Sequence, residues 1–348
     1  MPNIVNLATW PLWGIILTFI GAALIIAVAG ARLTSLADQL ADVTGLGEAL
    51  FGAVLLGGST SLPGIITSVT TAFEGYPELA VSNAVGGIAA QTTFLAIADA
   101  VYRKANLEHA AASIENLMQG VLLSTLLAVP LIAMAGPQVS LFGIHPASVA
   151  LVFAYAYGLR IITKARSAPL WTPYETKLTI LDKPEAENLQ GKEHLRIVWG
   201  TFAGLVVIVG VAGFVVAQMG IALVDRTVLS ESIIGGLFTA VATSLPELVI
   251  SVTAVRRGAL TLAVGGVIGG NSFDVLFIAF ADVAFRGGSI YHAITNRQVF
   301  IIALTLILTS ILLLGLLRRE KKGIANIGFE SFLVLVLYVG AFLVLFFL

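Results

Sequence analysis

Run after run of about twenty residues in this chain carries no charge at all, and that leaves a polypeptide very few ways to fold. Residues 12–31 and 197–219 hold no Asp, Glu, Lys or Arg. A helix of that length crosses the roughly 30 Å hydrocarbon core of a bilayer. The whole chain follows suit: 58% of its 348 residues are hydrophobic and 11% charged. A water-soluble domain cannot present that composition to solvent. Counting about 20 apolar residues per span predicts ten helices, near 12–31, 45–73, 78–101, 111–136, 146–165, 197–219, 227–255, 260–285, 296–317 and 324–348. The second and seventh are long for one straight span, and each carries a Ser-Leu-Pro midway. The first apolar run has no basic residues ahead of it, so it reads as a permanent helix rather than a cleaved signal. There are no cysteines, hence no disulfide framework or thiolate chemistry.

Basic residues give the orientation. With loops assigned alternately to two sides, Lys and Arg divide roughly 16 to 3. The rich side takes Arg32, the Arg103/Lys104 pair, seven residues between Arg160 and Arg196, the Arg256/Arg257 pair and the cluster from Arg318 to Lys322. The positive-inside rule makes that side cytoplasmic and both termini extracytoplasmic, as in a prokaryotic inner membrane. The predicted organisation is a first five-helix unit over 1–166, a cytoplasmic linker over 167–194 rich in Pro, Lys and Glu, and a second five-helix unit over 195–348.

The two units are related. Residues 42–99 align with 225–282 at an offset of 183 without a gap, and about 22 of the 58 positions are identical. Thr60-Ser61-Leu62-Pro63 matches Thr243-Ser244-Leu245-Pro246, Gly86-Gly87 matches Gly269-Gly270, and Glu48 and Asp99 match Glu231 and Asp282. An odd number of spans per unit makes the second copy enter the membrane from the opposite side. Inverted repeats with Gly- and Pro-broken helices place a substrate site at the repeat interface near the midplane. This predicts an all-α integral membrane transporter. Asp99 is expected to pair locally with Arg103 or Lys104, and Glu48 and Glu231 to stabilise helix N-termini, the alternative being to funnel cations toward the site.

At these motifs the chain resembles the calcium/cation antiporter superfamily of sodium/calcium exchangers. That family carries two inverted repeats with Gly/Ala-Thr-Ser-Leu-Pro-Glu, then Gly-Ser-Asn followed by Asp or Asn three residues after the Asn. The second copy here reads Ala242-Thr243-Ser244-Leu245-Pro246-Glu247, then Gly269-Gly270-Asn271-Ser272-Phe273-Asp274. The resemblance implies a cation site of two glutamates and two Asp or Asn residues flanked by Thr and Ser oxygens. The first copy departs from it: Gly64 stands opposite Glu247, Ile88 opposite Asn271 and Gln91 opposite Asp274.

The residues by themselves support a cation pathway. A carboxylate at mid-membrane is costly and marks an ion or proton route, which singles out Glu247 and Asp274 as the candidate metal ligands. Thr60, Ser61, Thr243 and Ser244 sit beside helix-breaking prolines, where hydroxyls and freed carbonyls can point inward; the alternative is a back-bond to their own helices. Asn271 is expected to face the interior. Gln91 is expected either to offer its amide oxygen or to make a helix–helix hydrogen bond. Calcium takes six to eight oxygens, usually with several carboxylates, so the lost first-copy glutamate shifts the expected preference from calcium toward sodium or protons. The predicted partners are these inorganic cations and the lipid bilayer, with no nucleic acid and no cofactor. No nucleotide or nucleophile motif is present, so no enzymatic activity is expected. Two alternatives stand beside antiport: a non-transporting ion-binding relative, and a carrier of a different solute.

Overall fold

The computed structural model describes residues 7–44, 58–102, 106–167, 169–174, 176, 192–321 and 327–347. The described residues are helical apart from turns and one isolated bridge between Leu141 and Ile144. We label α1 Leu12–Thr44, α2 Leu62–Phe73, α3 Pro77–Val101, α4 Ile114–Ala135, α5 Pro146–Ser167 and α6 Lys192–Arg226. In the second half, α7 is Glu231–Thr243, α8 Leu245–Arg257, α9 Leu260–Ala284, α10 Asn296–Arg318 and α11 Phe329–Phe347.

Among the described residues eight helices are long and apolar enough to cross a membrane, or nine when α7 and α8, bent by 48° at Ser244, count as one span. The predicted second span is described only in part. Its first part, through residue 57, lies outside the described residues, and α2 alone is 12 residues long. The predicted linker also falls largely outside them. Two helices outrun their predictions. At 33 and 35 residues, α1 and α6 reach about 50 Å at 1.5 Å per residue, longer than the hydrocarbon core. The extension of α1 is amphipathic rather than uniformly apolar, which is why a hydropathy count stops short of it. Leu33, Ala37 and Leu40 fall on one helical face and bury against Val198, Phe202 and Val209 of α6.

Burial sorts the helices by role. In α3, 83% of the most apolar 18-residue window is buried, and in α9 72%, against 28% for α1 and α5. The spans α3 and α9 therefore lie at the axis of the molecule, with α1 and α5 at its periphery. Trp13, Leu17, Ile20, Leu24 and Val28 form an exposed stripe on α1 at spacings of three and four, the pattern of a lipid-facing surface. Close approach at the axis depends on glycine. A Cβ on Gly86 of α3 would lie 2.3 Å from the carbonyl oxygen of Gly236, so the backbones meet directly there. Gly236 lies in a π-helical stretch of α7, Ile234–Thr239.

The 183-residue offset persists beyond the matched sequence. Helices start at Leu62 and Leu245, at Pro77 and Leu260, and at Pro146 and Phe329. Hydrogen bonds between the halves repeat reciprocally. Asp99 accepts the backbone N–H of Leu107 at 2.7 Å and of Gly328 at 2.8 Å. Asp282 accepts that of Ile290 at 2.9 Å and of His145 at 2.8 Å. Every partner differs by 183 with the halves exchanged. The pattern extends outward: Ser331 donates to Glu108 at 2.5 Å, while Ser148 and Tyr291 are hydrogen-bonded at 2.9 Å. The expected pairing of Asp99 with Arg103 or Lys104 lies outside the described residues; among those described, Asp99 accepts backbone N–H groups from both halves. Glu231 serves a helix N-terminus, as expected, but that of α3 in the other half, accepting from Leu79 N at 2.9 Å. Glu48 lies outside the described residues.

Candidate cation site

The repeated Thr-Ser-Leu-Pro creates the site locally. Proline in the first turn of a helix forfeits an N–H that would have no partner there, and it resists continuation from the preceding helix. Hence α2 and α8 both start at the leucine, and Ser61 and Ser244 stand at the breaks with no side-chain capping bond. Their hydroxyls are released to the interior. A third break follows Asp274, between the two segments of α9.

These breaks converge. One cavity is lined by Ser61, Gly64, Asn83, Gly87, Gln91, Thr243, Ser244, Glu247, Asp274 and Phe277. It is walled by α2 and α3 from the first half and by α7, α8 and α9 from the second, and Ser61/Ser244, Gly64/Glu247 and Gln91/Asp274 are sequence-matched pairs within it. Asp274 is anchored across the halves: Ser61 Oγ donates to one oxygen at 2.5 Å and Gln91 Nε2 to the other at 2.7 Å. Gln91 Nε2 also lies 3.2 Å from Ser244 Oγ. Glu247 is buried in the same wall, and its Oε2 has no hydrogen-bond partner. Gln91 Oε1 is likewise buried without a partner. Buried acceptors are normally satisfied; here two, Glu247 Oε2 and Gln91 Oε1, stay unengaged beside a second carboxylate. Among the described residues no group of three or more Asp, Glu, His or Cys is placed to hold a metal ion. The carboxylates lining the cavity are the pair Glu247 and Asp274.

The remaining predicted residues divide. Ser61, Ser244 and Gln91 reach the cavity and bond there. The amide of Gln91 presents its N–H₂ to Asp274, so this side chain reaches the second half as a donor and leaves its oxygen for other use. Thr243 lines the cavity, but its hydroxyl back-bonds to Thr239 O at 2.9 Å and Ala240 O at 3.2 Å. Thr60 is half-buried and outside the lining. Asn271, one turn before Asp274, is outside it too, donating to Thr92 Oγ1 at 3.0 Å with its own Oδ1 unpartnered. Asn83 matches Gly266 in the other copy, so the repeat's shared motifs do not mark it. It lines the cavity and joins Ser68 Oγ at 2.9 Å, Gly64 O at 3.3 Å and, as acceptor, Thr239 Oγ1 at 2.7 Å. The available signal was an amide four and eight residues from Gly87 and Gln91, on the same helical face.

Fold and site together define a membrane-embedded helical protein with a carboxylate-bearing polar cavity between two related halves. The chain belongs to the sodium/calcium exchanger protein family, whose model matches residues 14–164 and 196–348. It is 26% identical over 292 residues to the protein CaxA of Alkalimonas amylolytica, covering 82% of this chain and 86% of that one. It is 24% identical over 315 residues to inner membrane protein YrbG of Escherichia coli, covering 89% and 92%. The crystal structure of the H+/Ca2+ exchanger CAX superposes with a TM-score of 0.71 at 13% identity, covering 94% of this chain and 82% of that one, a likeness of fold.

Proposed function

We propose that this protein is a secondary cation antiporter of ten helices in two inverted five-helix halves, working by alternating access, with Glu247 and Asp274 binding the cation at mid-membrane. The observation that carries the reading is the cavity itself. Its wall joins both halves, its charge comes from two carboxylates, and Glu247 keeps one buried oxygen free of any protein donor. The inverted arrangement draws support from the reciprocal bonds of Asp99 and Asp282 and from the loops. Contacts between loops join residues that the basic-residue count assigns to one side: Asn106 with Lys321 and Arg319 with Tyr174 on the basic side, and Asp282 with His145 on the other. The same count supports an inner-membrane location, as in the name of YrbG, with the central loop cytoplasmic and both termini extracytoplasmic.

Cation preference follows from charge. A divalent ion gains roughly twice as much from each carboxylate as a monovalent ion does. A site reduced to two carboxylates therefore loses most for calcium and shifts toward sodium or protons. Competition of these ions for one site couples their exchange.

The test is flux in proteoliposomes. Wild type should exchange sodium or protons under an imposed gradient, and Glu247→Gln should abolish that exchange. Flux of every cation unchanged by Glu247→Gln would remove this residue from the mechanism. Sodium-driven calcium uptake with the affinity of a full-strength site would overturn the shifted preference. Ion binding without flux would favour the non-transporting alternative.

A further inference from the structure

The first copy lacks a carboxylate at Gly64, and the structure shows what stands in its place. A Cβ on Gly64 would meet the ring of Phe277 at 2.5 Å (Cε2), 3.3 Å (Cζ) and 3.4 Å (Cδ2). Both residues line the cation cavity. Phe277 belongs to α9, three residues past Asp274, and is 4% exposed. It is braced from behind: its ring packs edge-on against Phe273 with centroids 6.3 Å apart, and Phe273 packs edge-on against Tyr155 of α5 at 5.8 Å. Room at Gly64 is thus not available to a larger solute or to water, since a held aromatic ring fills it.

We propose that Phe277 is a specificity-determining residue, whose ring occupies the position of a first-half carboxylate and closes that flank of the site to oxygen ligands. This rests on the reading of the cavity as a cation site. The consequence is chemical. A divalent ion needing six to eight oxygens meets a ring edge at Gly64 where a carboxylate would stand, and is left with the neutral polar groups of Ser61, Asn83 and Gln91 on the first half. A proton needs one oxygen, and a sodium ion fewer than calcium. The missing glutamate and the ring are therefore one coupled feature. Restoring the carboxylate alone cannot restore the flank, because the side chain of residue 64 and the ring compete for the same volume.

The test is a double-mutant cycle read by calcium binding to purified protein in detergent, on wild type, Gly64→Glu, Phe277→Ala and the double variant. Coupled sites give non-additive effects. The expected result is calcium affinity raised by about tenfold or more in the double variant, with each single variant within about threefold of wild type. Gly64→Glu with Phe277→Leu, which keeps more side-chain volume behind the site, should give a smaller rise in the same direction and guards against a collapse confined to the alanine variant. Gly64→Glu binding calcium as tightly as the double variant would overturn the proposal, and so would monodisperse double variants binding no tighter than wild type. Proteoliposome flux of the wild type, with and without Glu247→Gln, is measured alongside. Loss of Glu247-dependent flux strikes the cation-site reading, whereas an additive cycle with that flux intact strikes Phe277 alone.

Discussion

The paired aspartates should be the stability keystones of this fold, and their replacement gives a quantitative test of the two-fold relation. Asp99→Ala removes the acceptor of two buried backbone N–H groups, Leu107 at 2.7 Å and Gly328 at 2.8 Å, the second 229 residues away in sequence. Asp282→Ala does the same to Ile290 and His145 and also strips Ser148 Oγ of a 2.7 Å bond. Both aspartates are fully buried, so water does not substitute. A hydrogen bond to a charged group contributes about 1.5–3 kcal/mol, so each alanine variant should lose about 3–6 kcal/mol. The two alanine variants should lose similar amounts, because Ser148 Oγ keeps Tyr291 as a partner just as Ser331 Oγ keeps Glu108. The asparagine variants should fall between: one oxygen remains, but the new N–H₂ faces the other backbone N–H as donor against donor. Thermal unfolding of monodisperse detergent-purified protein, followed as loss of the size-exclusion peak, reads the order. Asp99→Ala unfolding at the wild-type temperature would refute the reasoning, as would asparagine variants indistinguishable from wild type.

Three other outcomes follow from the structure. Glu108, in the short helix Leu107–Ala110 outside the spans, has its carboxyl pushed up to about 7 by burial and then by the Asp99 carboxylate, against the bond from Ser331; Glu330, itself paired with Arg318 at 3.0 Å, also faces it. A carboxyl raised above its unfolded value contributes stability below that value, near 4.5, and loses it as pH rises through about 7. Wild type should therefore unfold at a lower temperature at pH 8 than at pH 5.5, and Glu108→Gln should narrow that gap; an unchanged gap refutes the assignment. Gly86→Ala forces a Cβ against the Gly236 backbone and should cost about 1–3 kcal/mol of stability on the same thermal assay, unlike Gly21→Ala, whose Cβ meets nothing within 4 Å. Gln91→Glu replaces the donor 2.7 Å from Asp274 with a third carboxylate at the cavity and should strengthen calcium binding, measured by titration in detergent; unchanged or weaker calcium binding would argue against that placement.

Much of this molecule is written in local pattern. The apolar runs determined most of the helices, because hydrocarbon tolerates no unpaired backbone and a run of about twenty apolar residues suffices to span it. The repeated Thr-Ser-Leu-Pro determined where α2 and α8 begin, because proline acts on its own helix. Glu247 and Asp274 stood out because charge in an apolar run is conspicuous, and the mismatch of Gly64 with Glu247 was visible from the offset alone. The structure decided everything that depends on which buried face meets which. Helices α3 and α9 are apolar around most of their circumference, so periodicity does not mark the faces of Asn83 or Gln91. That Gln91 donates to Asp274 and that Asp99 clasps Gly328 are contacts across 183 and 229 residues, set by how the two halves pack. The filling of Gly64 by Phe277 is of the same kind. A glycine in sequence reads as space, and only the packed interior determines whether that space belongs to an ion or to a ring.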